Sequence, residues 1–141
     1  MPEVFNTQRK IPIGLDSIRK FASRLSSEVA EAEGKEFCIA FVPDERMRQL
    51  NEMFRGKDST TDVLSFPNEH AEFEPDKNSL GDIVISAEQA QKQAAENGLS
   101  LEGEISQLIL HGVLHLCGYD HETDGGEMNT RELQLREKLG I

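Results

Sequence analysis

The architecture of this chain is read most directly from residues 100–121, SLEGEISQLILHGVLHLCGYDH. Ser100 is a residue type that often caps the amino end of a helix, and apolar residues follow it at intervals of three and four. The pattern predicts an amphipathic helix that continues to about Leu116. Gly118 follows shortly after, and glycine can leave a helix through the left-handed backbone region. The helix is therefore expected to end in a turn, and its apolar face needs a covering layer.

The surrounding sequence predicts that layer as short strands and further helices. The predicted strands cover residues 4–6, 37–42 (FCIAFV), 61–66 and 80–85 (LGDIVI). Further helices are expected from about Asp16, which would cap the first of them, from Asp44, from Ala87 after a capping box of Ser86 and Gln89, and from Gly125. In the helix that begins at Asp44, the side chains of Met47, Leu50 and Phe54 are expected to face inward.

These elements predict one domain that spans residues 1–141. No repeat, low-complexity tract or flexible linker divides the sequence. The predicted fold class is α/β of the α+β kind, with a small mixed sheet of four strands covered by about five helices.

The charge of the chain argues against a surface that is basic throughout. There are 15 Lys and Arg against 26 Asp and Glu, which gives a net charge of −11. Residues 1–60 hold 10 basic and 10 acidic residues, whereas residues 61–141 hold 5 and 16. A polyanion is therefore expected to meet the first half of the chain.

Other features of the sequence bear on where the protein acts. No apolar run approaches the roughly 20 residues that a membrane helix needs, so no membrane partner is expected. The first residues lack the basic-then-apolar order of a secretion signal. Cys38 and Cys117 are 79 positions apart and are interpreted as reduced thiols. Together these features predict a cytoplasmic location.

Three of the four histidines, His111, His115 and His121, fall within eleven residues. A helix places the first two about 40° apart in azimuth and roughly 6 Å apart along its axis, so two imidazoles can reach one ion. Beyond the turn at Gly118, the third would arrive from a loop. The spacing predicts a metal held by three nitrogens with one open position, as in catalytic rather than structural zinc sites.

The spacing H-x-x-x-H-x-x-G-x-x-H is similar to the metzincin peptidase signature, so a metzincin-like metal helix is expected. The residue after the first histidine is Gly112, where those peptidases carry a general-base glutamate. Because glycine cannot transfer a proton, peptidase activity is not expected. Asp120 could serve as a base instead if its carboxylate pointed at the metal.

Three blocks of sequence carry a more specific resemblance. HGVLHLCGYDH (111–121), FRGKDSTTDVLSFP (54–67) and LGDIVIS (80–86) resemble, in order and spacing, the YbeY family of bacterial endoribonucleases. The resemblance implies a metal-dependent hydrolase of single-stranded RNA that matures ribosomal RNA, notably the 3′ end of the small-subunit RNA, and acts in ribosome quality control. It also implies one Zn²⁺ per chain and a partner in ribosomal RNA, the small ribosomal subunit or its proteins.

The resemblance also assigns residues. His111, His115 and His121 match the family's metal ligands, and Arg55 matches an arginine tied to activity. Such a set suits phosphodiester hydrolysis, since a metal can activate water or polarise a phosphoryl oxygen and an arginine can neutralise phosphate charge.

Two other functions are compatible with the same residues. One is a ribosome-assembly factor whose metal is structural, with Asp120 or Asp124 as a fourth ligand. The other is a metal-dependent hydrolase of another substrate. The residues do not fix the physiological metal, the nucleophile (metal-bound water or the ribose 2′-hydroxyl), the general acid and base, the cleavage site or the oligomeric state.

Three remaining polar residues have expected roles away from direct chemistry. Asp82 alternates with apolar residues in its strand, so a structural role or the orientation of a ligand imidazole is favoured. Asp62 follows two threonines and is expected to cap a turn. His70 is expected to be a solvated loop residue.

Overall fold

The computed structural model describes residues 2–68, 78–120 and 122–141. Most of the predicted loop after the third strand lies outside these residues, as do His70 and His121. The described residues form four strands and five α-helices, in the order β1 (Glu3–Asn6), α1 (Leu15–Glu28), β2 (Glu36–Val42), α2 (Asp44–Arg55), β3 (Val63–Pro67), β4 (Ser79–Ser86), α3 (Ala87–Asn97), α4 (Leu101–Leu116) and α5 (Glu127–Leu139), with one 3₁₀ turn at Ala30–Ala32. The predicted fold class is confirmed.

The four strands form one mixed sheet in the order β1-β2-β4-β3. β1 and β4 both pair in parallel with β2, whereas β3 pairs antiparallel with β4 and lies at the edge. In this antiparallel pair, Ser65 of β3 is opposite Ile83 of β4, and Phe66 is opposite Asp82. This register determines which backbone groups of β3 bond to β4 and which point away from it.

The two faces of the sheet are covered unequally. The larger core includes Phe37, Ile39 and Ile83, together with apolar residues of α1 and α4. On the other face a smaller cluster of Val42, Met47, Leu64 and Val84 packs beneath α2. The sheet therefore presents a thick layer on the α4 side and a thin layer on the α2 side.

Helix caps account for most of the boundaries that the sequence predicts. The Oγ atom of Ser100 accepts a hydrogen bond from the Gly103 amide at 3.0 Å, and Ser86 accepts one from the Gln89 amide at 3.3 Å. The Gln89 side chain, however, donates to Asp44 Oδ2 at 3.2 Å, so only half of the predicted capping box forms.

Two expectations about α1 and α2 are wrong. Asp16 does not cap α1, because the helix begins at Leu15 and the Asp16 carboxylate accepts from Arg19 Nη1 at 3.2 Å. Phe54 is 60% exposed rather than inward-facing. Its ring lies edge-on to that of Phe66, with the centroids 5.0 Å apart, at the end of α2. Asn51 is buried in α2 instead, where its side chain donates to the Ser59 carbonyl at 2.8 Å.

Within the part of the chain that the structure describes, no helix combines the length and the apolar character needed to cross a membrane.

Candidate active site

A cleft of about 1080 Å³ lies between the edge strand β3 and helix α4. The polar side of α4 faces it, with Glu104, Gln107, His111 and His115 among the lining residues. The opposite side of α4 contributes the buried apolar residues of the larger core. The amphipathic pattern of residues 101–116 therefore directs the two histidines into the cleft.

Gly112 fixes the height of α4 above the sheet. A Cβ atom at this position would lie 2.9 Å from Ile83 Cγ2 and 3.1 Å from two further atoms of the same side chain. Helix and strand therefore approach more closely than any other residue type would allow at this position. A glutamate after the first histidine would require a different packing of α4 on β4, which accounts for the departure from the metzincin pattern.

His111 is held by a carboxylate from another helix. Its Nδ1 atom lies 2.6 Å from Glu132 Oε1 in α5, and Arg136 Nη2 lies 2.6 Å from Glu132 Oε2. We call these three residues the histidine cluster. With its Nδ1 atom engaged in this way, the ring would bind a metal through Nε2, as in many zinc sites.

Burial favours the neutral form of the Glu132 carboxyl and acts to raise its pKa. Hydrogen bonds and charges from His111 and Arg136 outweigh that effect, so the pKa of Glu132 lies below its usual value. An ionised Glu132 is a strong acceptor for the N–H of His111.

Glu132 was not predicted from the sequence, because it is 21 residues away from His111. A signal was present nevertheless. In α5 the buried residues are Met128, Glu132, Leu135 and Leu139, so a glutamate occupies an apolar position of the helical pattern. A charged residue at such a position needs a partner.

His115 lies one helical turn from His111, with the ring centroids 4.8 Å apart and the ring planes at 75°. Two imidazoles in this arrangement could hold one metal ion, and neutral imidazole nitrogens suit zinc. The third predicted ligand, His121, lies outside the described residues. Among those that are described, no three His, Cys, Asp or Glu residues form a metal-binding group. The three-histidine site therefore stays a prediction.

Gly118 turns the chain away from α4, as predicted, with φ at 102°. The next residue, Tyr119, donates its hydroxyl to Glu31 Oε2 at 2.9 Å. Arg131 donates to the same carboxylate through Nε at 2.9 Å and Nη2 at 2.7 Å. We call Glu31, Tyr119 and Arg131 the Glu31 cluster. It anchors the segment that leaves α4 to both α5 and the 3₁₀ turn.

The hydrogen bonds from Arg131 lower the pKa of Glu31 from 4.5 to about 2, and the Tyr119 hydroxyl adds to the effect. Partial burial of the carboxylate acts in the opposite direction and is outweighed. Glu31 is therefore fully ionised at neutral pH.

Arg55 lines the same cleft as the two histidines, as the last residue of α2. Its Nη2 atom lies 3.7 Å from Glu122 Oε1, and its side chain is 39% exposed. The guanidinium is thus only loosely paired, in a position where a phosphate could replace the carboxylate. The catalytic role of Arg55 stays a prediction.

Asp62 and Asp120 also line the cleft, but both make local hydrogen bonds. Asp62 Oδ1 accepts from the amide of the next residue, Val63, at 2.8 Å, and its predicted role in capping a turn stays a prediction. Asp120 Oδ1 accepts from the Glu122 amide at 3.0 Å. Each carboxylate therefore shapes the chain at the rim of the cleft.

Of the two roles expected for Asp82, the orientation of a ligand imidazole is wrong. Asp82 is exposed and lies on the face of β4 opposite to Ile83, which packs against α4. The thin α2 layer covers Val84 but leaves this end of the face open. Burial first, and then the charge of Asp82, raise the pKa of the neighbouring Cys38 thiol. Asp82 therefore cannot orient a ligand imidazole on α4.

The protein is a small α/β domain in which a helix with two histidines packs on a mixed sheet. An arginine from α2 lines the same cleft as the two histidines. A family model described as Endoribonuclease YbeY matches residues 3–140. The chain belongs to the YbeY endoribonuclease family, and the resemblance predicted from its three sequence blocks is confirmed.

Relatives named Endoribonuclease YbeY support this membership. The one from Solibacter usitatus is 46% identical over 137 residues, which cover 96% of this chain and 87% of the relative. That from Nautilia profundicola is 49% identical over 107 residues, or 76% and 74% of the two chains. The solution structure of TM1509 from Thermotoga maritima superposes with a TM-score of 0.66 at 27% identity, over 99% of this chain and 90% of that one.

Proposed function

We propose that this chain is a metal-dependent endoribonuclease that cuts single-stranded ribosomal RNA in the cleft between β3 and α4. Endoribonuclease activity, predicted from the sequence blocks, is borne out by the family match. Metal dependence, the 3′ end of the small-subunit RNA as the target, and a part in ribosome quality control are the proposed additions. The observation that carries the proposal is that His111, His115 and Arg55 line one cleft.

In this proposal, His111, His115 and His121 hold one Zn²⁺ per chain. A zinc ion bound there would supply a water of lowered pKa or polarise a phosphoryl oxygen. Glu132 accepts the N–H of His111 at Nδ1 and so fixes the tautomer that presents Nε2. The histidine cluster thereby sets the direction of one ligand before any metal binds.

Arg55 supplies the charge that a phosphodiester requires. Its planar guanidinium can donate two parallel hydrogen bonds to phosphoryl oxygens, which is worth a few kcal/mol where negative charge develops. The pairing with Glu122 at 3.7 Å is long, so a phosphate can displace the carboxylate at low cost.

A structural metal in a ribosome-assembly factor would need a fourth protein ligand. Of the two candidates, Asp124 uses Oδ1 to accept from the Gly126 amide at 2.8 Å and Oδ2 to accept from Met128 at 2.9 Å. Asp120 accepts from the Glu122 amide at 3.0 Å. Both carboxylate oxygens of Asp124 are thus engaged, which supports the enzyme over an assembly factor that uses Asp124 as the fourth ligand.

The ribosome is proposed as the setting in which the enzyme meets its substrate, in the cytoplasm. With a net charge of −11, the chain is expected to bind isolated RNA weakly and in a strongly salt-dependent way. The small ribosomal subunit or its proteins would then contribute to specificity.

The Arg55→Ala substitution tests the proposed catalytic role of Arg55 directly. We expect the kcat for a single-stranded RNA oligonucleotide to fall about 100-fold or more, because charge at the phosphoryl oxygens is no longer neutralised. Metal content and melting temperature should stay at the wild-type level. Arg48→Ala is the matched control, since Arg48 lies in the same helix but pairs with Asp58 on the surface. Wild-type cleavage by the Arg55→Ala protein would contradict the proposed role.

A further inference from the structure

The register of β3 shows which of its backbone groups face away from β4. In an antiparallel pair, alternate residues exchange both of their backbone hydrogen bonds with the partner strand. The Ser86 amide donates to the Asp62 carbonyl at 2.9 Å, and the Asn68 amide donates to Leu80 at 3.0 Å. Positions of the same parity as Asp62 and Asn68 therefore bond to β4. The backbone groups of Val63, Ser65 and Pro67 point in the opposite direction.

That outer edge of β3 opens onto the candidate active site. Val63, Ser65 and Pro67 line the same cleft as His111 and Arg55. The amide of Val63 is already bonded to Asp62 Oδ1 at 2.8 Å, and proline has no amide hydrogen. Of these three residues, Ser65 therefore has an outward N–H that is not already hydrogen-bonded. Its outward N–H and C=O lie side by side, and no other described residue forms a hydrogen bond with either group.

We propose that the backbone N–H and C=O of Ser65 pair with the Watson–Crick edge of one unpaired nucleobase next to the scissile phosphate. Each of the four RNA bases carries a donor and an acceptor side by side on that edge, so each can make this two-bond contact with a strand edge. The inference rests on the proposed RNA-cleaving function of the cleft. It adds a physical basis for selecting single strands, because the Watson–Crick edge is occupied in a duplex.

An extended peptide is the other ligand that a strand edge can bind. Such a peptide needs a ladder of alternating donors and acceptors along several residues. Here Asp62 and Pro67 remove the outward N–H groups on both sides of Ser65. The edge can therefore offer one bidentate pair rather than a ladder, and it lies beside the residues proposed to act on phosphate. Both observations favour a base.

The test compares substrates whose Watson–Crick edge is blocked. A single-stranded oligonucleotide with the sequence of the 3′ end of the small-subunit RNA is methylated at that edge, one base at a time. With wild type, we expect kcat/KM to fall about 10-fold or more at one position that flanks the cut, and little elsewhere. With Ser65→Pro, which removes the outward N–H together with the side-chain hydroxyl, cleavage of the unmodified oligonucleotide should fall by about the same factor. Methylation at that position should then add no further loss.

Ser65→Ala is the matched control for the backbone origin of the effect. It keeps the N–H and removes the hydroxyl, which donates to the Gly112 carbonyl at 3.4 Å. This variant should retain the methylation sensitivity of wild type. Because a proline can also alter the backbone of β3, hydrogen exchange of the Ser65 amide in wild type provides a second measurement. A non-cleavable oligonucleotide should slow that exchange.

Normal cleavage that is insensitive to methylation at every position would overturn this inference and leave the proposed function intact. So would protection of the Ser65 amide by a ribosomal protein but not by RNA. A wild-type protein that does not cut the unmodified oligonucleotide would instead refute the proposed function itself.

Discussion

Two consecutive residues of α5 belong to two charged clusters with different surroundings. Arg131 belongs to the Glu31 cluster, where it makes two hydrogen bonds to one carboxylate, and Tyr119 makes a third. Glu132 belongs to the histidine cluster, where one carboxylate is shared between His111 and Arg136. The first cluster joins three segments of the fold. It touches the cleft through Tyr119, whereas all three residues of the histidine cluster line the cleft.

We expect the Glu31 cluster to contribute mainly to the stability of the fold and the histidine cluster mainly to activity. In the Glu31 cluster the partners bond to one another, so its main effect is to hold α5 and the end of α4 in place. In the histidine cluster, Glu132 is buried but the ring that it holds lines the cleft. Substitutions in the first cluster should therefore lower the free energy of unfolding, and substitutions in the second should lower metal affinity and cleavage.

Among substitutions in the two clusters, the largest effect is expected from Glu132→Gln. Loss of the charged acceptor for His111 should lower zinc affinity and RNA cleavage about 10- to 100-fold. Zinc titration against a competing chelator and steady-state cleavage would measure the two quantities. Glu137→Gln, an exposed change in the same helix, is the control and should leave both unchanged. Full zinc affinity in the Glu132→Gln protein would show that the contact is only structural.

A smaller effect, on stability alone, is expected from Glu31→Gln. Removing the charge should lower the free energy of unfolding by about 1–3 kcal/mol, because the hydrogen bonds from Arg131 lose their charged acceptor. Cleavage per folded molecule should not change. Glu28→Gln is the control, since the Arg24–Glu28 pair is more exposed and should contribute less than about 1 kcal/mol. Chemical denaturation monitored by circular dichroism would measure both variants.

The Glu31 cluster also makes a pH prediction with a defined sign. Because the pKa of Glu31 is lowered from 4.5 to about 2, its contribution is fully present above pH 4.5. It is lost as the pH falls from there towards 2, and its upper limit is about 3 kcal/mol. The stability difference between wild type and Glu31→Gln should therefore shrink over this range. A difference that stayed constant down to pH 2 would contradict the lowered pKa.

The smallest effect is expected from Asp82→Asn. Asp82 is exposed on the thinly covered face of the sheet, away from α4. Its substitution should change the free energy of unfolding by less than about 0.5 kcal/mol and leave cleavage unchanged. If cleavage fell 10-fold, Asp82 would have a role that its position does not explain.

Much of the fold could be predicted because its signals are local. Ser86 and Ser100 cap α3 and α4 as expected, and Gly118 turns the chain after α4. The YbeY blocks identified the family for a related reason, since each block is a continuous run of residues.

The errors arose where the outcome depends on distant packing. Alternation along β4 predicted that Asp82 shares a face with Val84, but not that α2 covers only the Val84 end of it. Likewise, the periodicity of α2 placed Phe54 inward, whereas the helix extends past its small cluster and leaves that ring exposed. The link from Glu132 to His111 joins two helices and has no local sequence signal beyond a glutamate at an apolar position.

Metal analysis of the His115→Ala protein tests the central claim most directly. Wild type purified without chelators should contain about one zinc per chain and cut a single-stranded ribosomal RNA oligonucleotide. His115→Ala should lose both the metal and the cleavage while keeping its fold by circular dichroism. A His115→Ala protein that retained one zinc per chain, or a rigorously metal-free wild type that still cut RNA, would contradict the account.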